Sequence, residues 1–127
     1  MAESNAIESF RDLVVWQVAM DAVDSILALV ASEPLSNKYW LFDQISRSST
    51  SIAANIAEGH GRGSRRMYRK HLYIARGSLN ETLTFMEIIR RQKYNTAESL
   101  APIRDLLHRT HKLLNGLIKS LQRKDTP

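Results

Sequence analysis

Apolar residues recur along this chain at intervals of three and four, the spacing of one face of an α-helix. The first stripe is Leu13, Trp16, Met20, Val23, Leu27 and Val30. Asp12 stands ahead of it as a candidate N-cap, and Pro34 ends it near Ser32 because a residue before proline avoids the helical region. The second stripe is Phe42, Ile45, Ser49, Ile52 and Ile56, with Ser36 or Asn37 in place to cap it and Gly59 where a left-handed C-terminal residue belongs. The third is Tyr68, Leu72, Ala75, Leu79, Leu83, Met86 and Ile89, opened by Ser64 and fading near Tyr94 and Asn95. The fourth is Ile103, Leu107, Thr110, Leu114, Leu117 and Leu121, capped by Thr96 or Ser99. Pro102 is tolerated only in first turns, so the regular part of this last helix is expected to begin close to it. No period-two strand pattern and no repeat occurs.

Four such stripes joined by short connections predict an all-α fold, an up-down-up-down antiparallel four-helix bundle spanning residues 12–122. A flexible segment, residues 1–11, precedes it, with Phe10 able to anchor onto the body, and a polar tail, residues 123–127, follows. The alternating spacing suits helices crossing at roughly 20°. A three-helix core with the last helix swapped onto a neighbour satisfies the same pattern.

Composition narrows the class. A chain of 127 residues, 43% hydrophobic and 24% charged, is one folded domain rather than a disordered segment. There is no cysteine, which excludes disulfides, thiolate metal sites and a cysteine nucleophile. The N-terminal residues lack the basic start and apolar core of a signal peptide, and no apolar run approaches the roughly 18 residues of a transmembrane helix. A soluble cytoplasmic protein with no membrane partner is therefore expected. The net charge of +5 and pI of about 9.8 favour an acidic partner.

The second helix is unusual. From Ser46 to Ala57 it is built almost wholly of serine, threonine and alanine, so a neighbouring backbone can come close. Gln44, Arg47, Ser51, Asn55 and Glu58 share one of its faces. A short turn makes the second and third helices antiparallel, which brings Gln44 and Arg47 toward Ser78 and Glu81 and predicts an Arg47–Glu81 charge pair. Asn55 and Glu58 then fall near Arg65, Arg66 and Tyr68. This face reads either as a solvated surface or as a polar network that fixes register.

No carboxylate occurs between Glu58 and Glu81, while Arg62, Arg65, Arg66, Arg69, Lys70 and Arg76 all do, beside His60 and His71. Three glycines expose backbone N–H groups there, and the helix that follows offers its positive end. Arginines at a helix start, where acids would be favourable, fit phosphate-backbone contact with RNA or DNA. Tyr68 or Tyr73 could stack on a base or belong to the core. The bland alternative is a solvated cationic turn.

Other chemistry fits poorly. The GHGRG run follows a helix and lacks a P-loop lysine, which argues against nucleotide binding. His108 and His111 lack the acid of a metalloprotease helix, and the Asp105–His108 pair lacks the inward glutamates and second pair of a di-iron bundle. No triad spacing is recognisable. The chain is expected to need no metal or cofactor and not to be an enzyme.

Several segments together carry a resemblance. Phe10-Arg-Asp-Leu-Val-Val-Trp16, Gln44-Ile-x-Arg47, Ser51-Ile52, Asn55-Ile-Ala-Glu-Gly59 and Ile74-Ala-Arg-Gly-Ser78 with Glu81 resemble the bacterial four-helix bundle family of 23S rRNA intervening-sequence proteins, over roughly Phe10 to Leu121. That family is similar to the accessory proteins of diversity-generating retroelements, five-fold barrels that bind nucleic acid and a reverse transcriptase. The resemblance implies a homopentameric ring with a basic surface for nucleic acid, or a scaffold docking a partner enzyme such as a reverse transcriptase. It implies no catalytic residues. Met67-Tyr68 stands where the family commonly has an acid and a phenylalanine, which makes this turn more basic than usual. Ser48 and Ser49 stand where larger residues or alanine are common.

Overall fold

The computed structural model describes residues 7–123, so the start of the expected flexible segment and residues 124–127 of the expected tail lie outside the described residues. Among the described residues the chain forms four α-helices and no strand: α1 (Val14–Ala31), α2 (Tyr39–His60), α3 (Arg65–Arg91) and α4 (Ala97–Arg123). Each packs against its chain neighbours and α4 returns to α1, with no close approach across either diagonal, so the four form an antiparallel bundle. The most extensive interface joins α2 to α3.

Local chemistry sets the helix ends, not always as expected. Asp12 does not cap α1. Its Oδ2 accepts from the N–H groups of Glu8 at 3.0 Å and Ser9 at 3.1 Å, closing a capping box on a 3-10 turn at Phe10–Asp12. Phe10 then packs edge-on to Trp16, with ring centroids 5.2 Å apart. Ser36 and Asn37 do not cap α2, because a second 3-10 turn, Leu35–Asn37, takes them up and leaves Lys38 at the cap position without a side-chain bond. Ser64 caps α3, accepting from the Met67 N–H at 3.1 Å. Thr96 caps α4, accepting from Ser99 N–H at 3.0 Å, so α4 starts five residues before Pro102. Leu100, fully buried, pins that first turn to the core ahead of the proline.

Gly59 is the clearest departure. It is not a left-handed terminus: α2 runs through it to His60, and the positive φ falls at Gly63, +83°. Gly59 is buried against α3 instead, where a Cβ would lie 3.2 Å from the Tyr68 carbonyl oxygen.

The core joins Ile26, Leu41, Ile45, Ile56, Leu79, Leu107 and Leu114, all fully buried, each contributing about 1.5–3 kcal/mol of apolar transfer. The α3 stripe lies where its spacing put it, with Leu72, Ala75, Leu79, Met86 and Ile89 buried. The α1 stripe also faces inward, with Leu13, Trp16 and Met20 packed against the core, except at Leu27. Val15, Val18, Ala19, Ala22 and Ile26 are buried with Val23 and Val30, whereas Leu27 is 38% exposed. Helix α1 packs on both α2 and α4, so its buried face is wider than one stripe. Trp16, Met20 and Val23 line an open groove with Phe10 and with Thr50, Ala53, Ala54 and Ala57 of α2, about 350 Å³ in volume. By length and composition α1 could also cross a membrane, contrary to the sequence reading, but it carries exposed Asp21 and Asp24 and packs its inner face into the bundle.

Candidate nucleic-acid interface

The small residues of α2 let α3 approach closely enough for hydroxyls to meet. Ser48 Oγ lies 2.8 Å from Thr82 Oγ1, and each hydroxyl also reaches a carbonyl on its own helix, Ser48 that of Ile45 at 3.3 Å and Thr82 that of Ser78 at 2.8 Å. The shorter Thr82–Ser78 bond favours Ser48 as the donor across the interface. One turn on, Ser51 Oγ and Ser78 Oγ are 2.8 Å apart. Asn55 Nδ2 donates to Ser51 O at 2.9 Å and Ser51 Oγ at 3.1 Å, which turns its carbonyl oxygen toward His71 Nδ1, 3.1 Å away. His71 Nδ1 therefore carries the hydrogen. The other ring nitrogen lies 3.8 Å from Glu58 Oε2, and Arg62 Nη1 reaches the same oxygen at 3.5 Å. A continuous polar seam thus runs from Thr82 to Arg62 along the α2–α3 contact.

Its membership differs from the expected network. Ser51, Asn55, Glu58 and Ser78 belong to it, but Gln44, Arg47 and Glu81 are exposed. Arg47 pairs with Asp43 at 3.1 Å rather than with Glu81. Asp43 is one turn back on the same exposed face, while Ser48 and Thr82 occupy the interhelical contact at that level. The register is displaced as well: Ser78 meets Ser51, not Gln44, about two turns further along α2. His71 and Thr82, both buried, were not foreseen as members.

The six expected cations separate into two groups. Arg62 is tied to Glu58 beside the turn. Arg65, Arg66 and Lys70 are exposed on the first turns of α3, and Arg69, half-buried, points Nη1 at the Leu121 carbonyl of α4, 3.5 Å away. Arg76 lies further along, over the α3–α4 seam: Nη1 donates to Asn115 Oδ1 at 2.9 Å and its guanidinium carbon sits 5.0 Å from the Tyr73 ring centroid. Gln122 Nε2 donates to Tyr73 Oη at 2.6 Å. Tyr68 and Tyr73 therefore part company. Tyr68 packs against the core and edge-on to His60, at 5.9 Å, and burial pushes its phenol above the usual range. Tyr73 is 40% exposed.

The contacts of Arg69, Tyr73 and Arg76 show which stripe of α4 faces this side of α3. Asn115 and Gln122 belong to a stripe that also holds Lys112 and Lys119, both exposed. No carboxylate occurs from Arg65 to Asn80 on α3 or from Leu106 to Gln122 on α4. Two acid-free helical stretches are thus laid side by side, and the basic surface extends well beyond the turn. Sequence reading missed Lys112 and Lys119. The acid-free run in α4 was visible, but its facing relative to α3 was not.

The distal end of α3 is balanced differently. Glu87 accepts hydrogen bonds from Arg90 and Arg91, which hold its carboxyl down to about 2. Among the described residues no group of three or more His, Asp or Glu side chains is placed to hold a metal ion.

Comparison with known proteins agrees with the bundle and its segments. A crystal structure of a protein of unknown function from the S23 ribosomal protein family of Bacteroides thetaiotaomicron superposes with a TM-score of 0.77 at 32% identity, covering 84% of this chain and 99% of that one. No curated protein matches the chain. The family model described as 23S rRNA-intervening sequence protein matches residues 11–116, which takes in the Asn55–Gly59 segment, the α2–α3 seam and most of α4. On that match the chain belongs to the 23S rRNA-intervening sequence protein family.

Proposed function

We propose that this protein is a non-catalytic, cytoplasmic, homo-oligomeric binder of RNA or DNA that grips the phosphate backbone through the α3–α4 face. The observation that carries this reading is the pairing of two acid-free helical stretches that display Arg66, Lys70, Lys112 and Lys119 together. Cations gathered without carboxylates raise the local potential, and release of counterions from a polyanion then drives association. Backbone contacts of this kind are indifferent to sequence.

Self-association multiplies the face. The resemblance to accessory proteins of diversity-generating retroelements favours a homopentameric ring. The apolar groove of Phe10, Trp16 and Met20 against the alanines of α2 offers a surface that a second subunit would bury. Light scattering should return a mass near five protomers.

The binding test is a titration with RNA and with duplex DNA at two salt concentrations. About four phosphate contacts per protomer predict a slope of log affinity against log salt of roughly −3 to −4. Reversing Arg66, Lys70, Lys112 and Lys119 to glutamate should abolish binding with the helical circular-dichroism signal unchanged. Affinity that survives the reversal would reject the reading.

A second reading, a scaffold that docks a partner enzyme such as a reverse transcriptase, draws on the exposed Tyr39, Trp40 and Phe42 at the start of α2. A partner retained through nuclease treatment in a pull-down, and lost on Trp40→Glu, would favour it.

A further inference from the structure

The geometry points to Tyr73 as a stacking platform for an unpaired base, which makes single-stranded nucleic acid the preferred ligand of the basic face. This rests on the backbone-binding reading above and specifies its ligand.

Three observations meet at this residue. Arg66, Lys70 and Tyr73 follow one another at spacings of four and three, so they share one outward stripe of α3. A strand whose phosphates lie along the two cations brings its bases to the ring one turn later. Tyr73 is 40% exposed although its side chain is held in a cross-helix lattice. Gln122 holds its hydroxyl at 2.6 Å, and Arg76, itself bonded to Asn115 at 2.9 Å, lies 5.0 Å over its face. An aromatic already ordered and still open loses little freedom when a base settles on it. The surface one turn further on is clear, because Gly77 adds no side chain and a Cβ there would meet nothing within 4 Å. Ile74 beside it, 44% exposed, adds apolar area for a base edge.

Cations followed by an exposed aromatic are how non-specific single-strand sites are built, since each base presents a π-face whatever its identity. A duplex keeps those faces inside its own stack and can use only the cations. Tyr73 should therefore discriminate between strand states, while Lys70 and Lys119 should not.

The test uses the full-length protein with fluorescein-labelled oligouridylate, oligodeoxythymidylate and a DNA duplex of equal length, read by anisotropy. Tyr73→Leu should weaken both single strands roughly tenfold and change duplex binding less than twofold. Tyr73→Phe, which keeps the ring and removes only the Gln122 bond, should stay within twofold of the parent on all three. Ultraviolet crosslinking to 4-thiouridine in the oligouridylate should give an adduct on the peptide carrying Tyr73. If Tyr73→Leu leaves single-strand affinity intact while Lys70→Glu and Lys119→Glu lose it, the stacking platform is rejected and the backbone reading stands. Equal losses for Tyr73→Leu and Tyr73→Phe on every probe would also reject it, because Tyr73 would then act only by holding α3 to α4. No binding of any probe by the parent protein overturns the backbone reading and this inference together.

Discussion

A methyl group placed on Gly59 would sit 2.9 Å from the Cβ of His71, with the Tyr68 carbonyl oxygen only 3.2 Å away. Glycine is needed here for proximity rather than for φ, since the residue lies within α2. The close approach brings the Asn55–His71–Glu58 contacts within reach of one another. Gly59→Ala gains helix propensity but forces two helices apart, and overpacking of this kind costs about 1–3 kcal/mol. Gly116 is also helical, in α4, but a Cβ there meets nothing within 4 Å. Gly116→Ala should therefore stabilise by about 0.5–1 kcal/mol. Urea unfolding of the two variants should move in opposite directions; two gains would show that α3 does not press on Gly59.

The Ser48–Thr82 contact is a buried hydroxyl pair, so its loss should depend on whether one or both partners go. Ser48→Ala leaves Thr82 bonded to the Ser78 carbonyl but strips its cross-helix donor, at a cost of about 1 kcal/mol. Thr82→Val keeps the volume and removes the acceptor, at a similar cost. The double variant replaces both by apolar groups and should cost less than the two singles added together, leaving a coupling of about 0.5–1.5 kcal/mol. Strict additivity would mean that the hydroxyls do not hold the helices in register.

How legible the fold was varied from helix to helix. The number and type of elements followed from three-four spacing, and α3 matched its stripe because bulky residues fill its buried face. In α1 the stripe was right but too narrow: the helix packs on both α2 and α4, so Val15, Val18, Ala19 and Ala22 are buried beside it and only Leu27 falls outside. The polar α2 face was right in kind and wrong in register, because the axial offset of two packed helices is set by side-chain contacts such as Ser48–Thr82 and Ser51–Ser78 and not by the turn alone. The basic turn was plain in the sequence, but its extension to Lys112 and Lys119 depends on how α4 is rotated against α3, which no local pattern encodes. Arg76 was grouped with the turn by proximity in sequence, whereas Asn115 draws it onto the seam.

Arg47 offers a check on that corrected register. Its guanidinium lies 3.1 Å from Asp43, with both side chains largely solvated. An exposed pair one turn apart contributes about 0.3–0.5 kcal/mol. A double-mutant cycle on Arg47 and Asp43 should return a coupling of that size, reduced at high salt. The matching cycle on Arg47 and Glu81 should return none. A larger coupling to Glu81 would mean that α2 and α3 slide into a different register in solution.

Glu87 supplies the clearest pH signature. Hydrogen bonds from Arg90 and then Arg91 lower its carboxyl from the ordinary value of 4.5 to about 2. A carboxyl depressed in the folded state favours folding at every pH above its unfolded value, and that contribution fades as pH falls toward the folded one. Its loss should therefore lie between pH 4.5 and about 2, with none of it felt at neutrality. The side chain is exposed, so the effect on stability is small, but the titration itself is specific. A carbon-detected NMR titration should place the Glu87 midpoint near 2 in the parent and return it toward 4.5 in Arg90→Gln/Arg91→Gln. A parent midpoint already near 4.5 would mean that the two arginines do not close on Glu87.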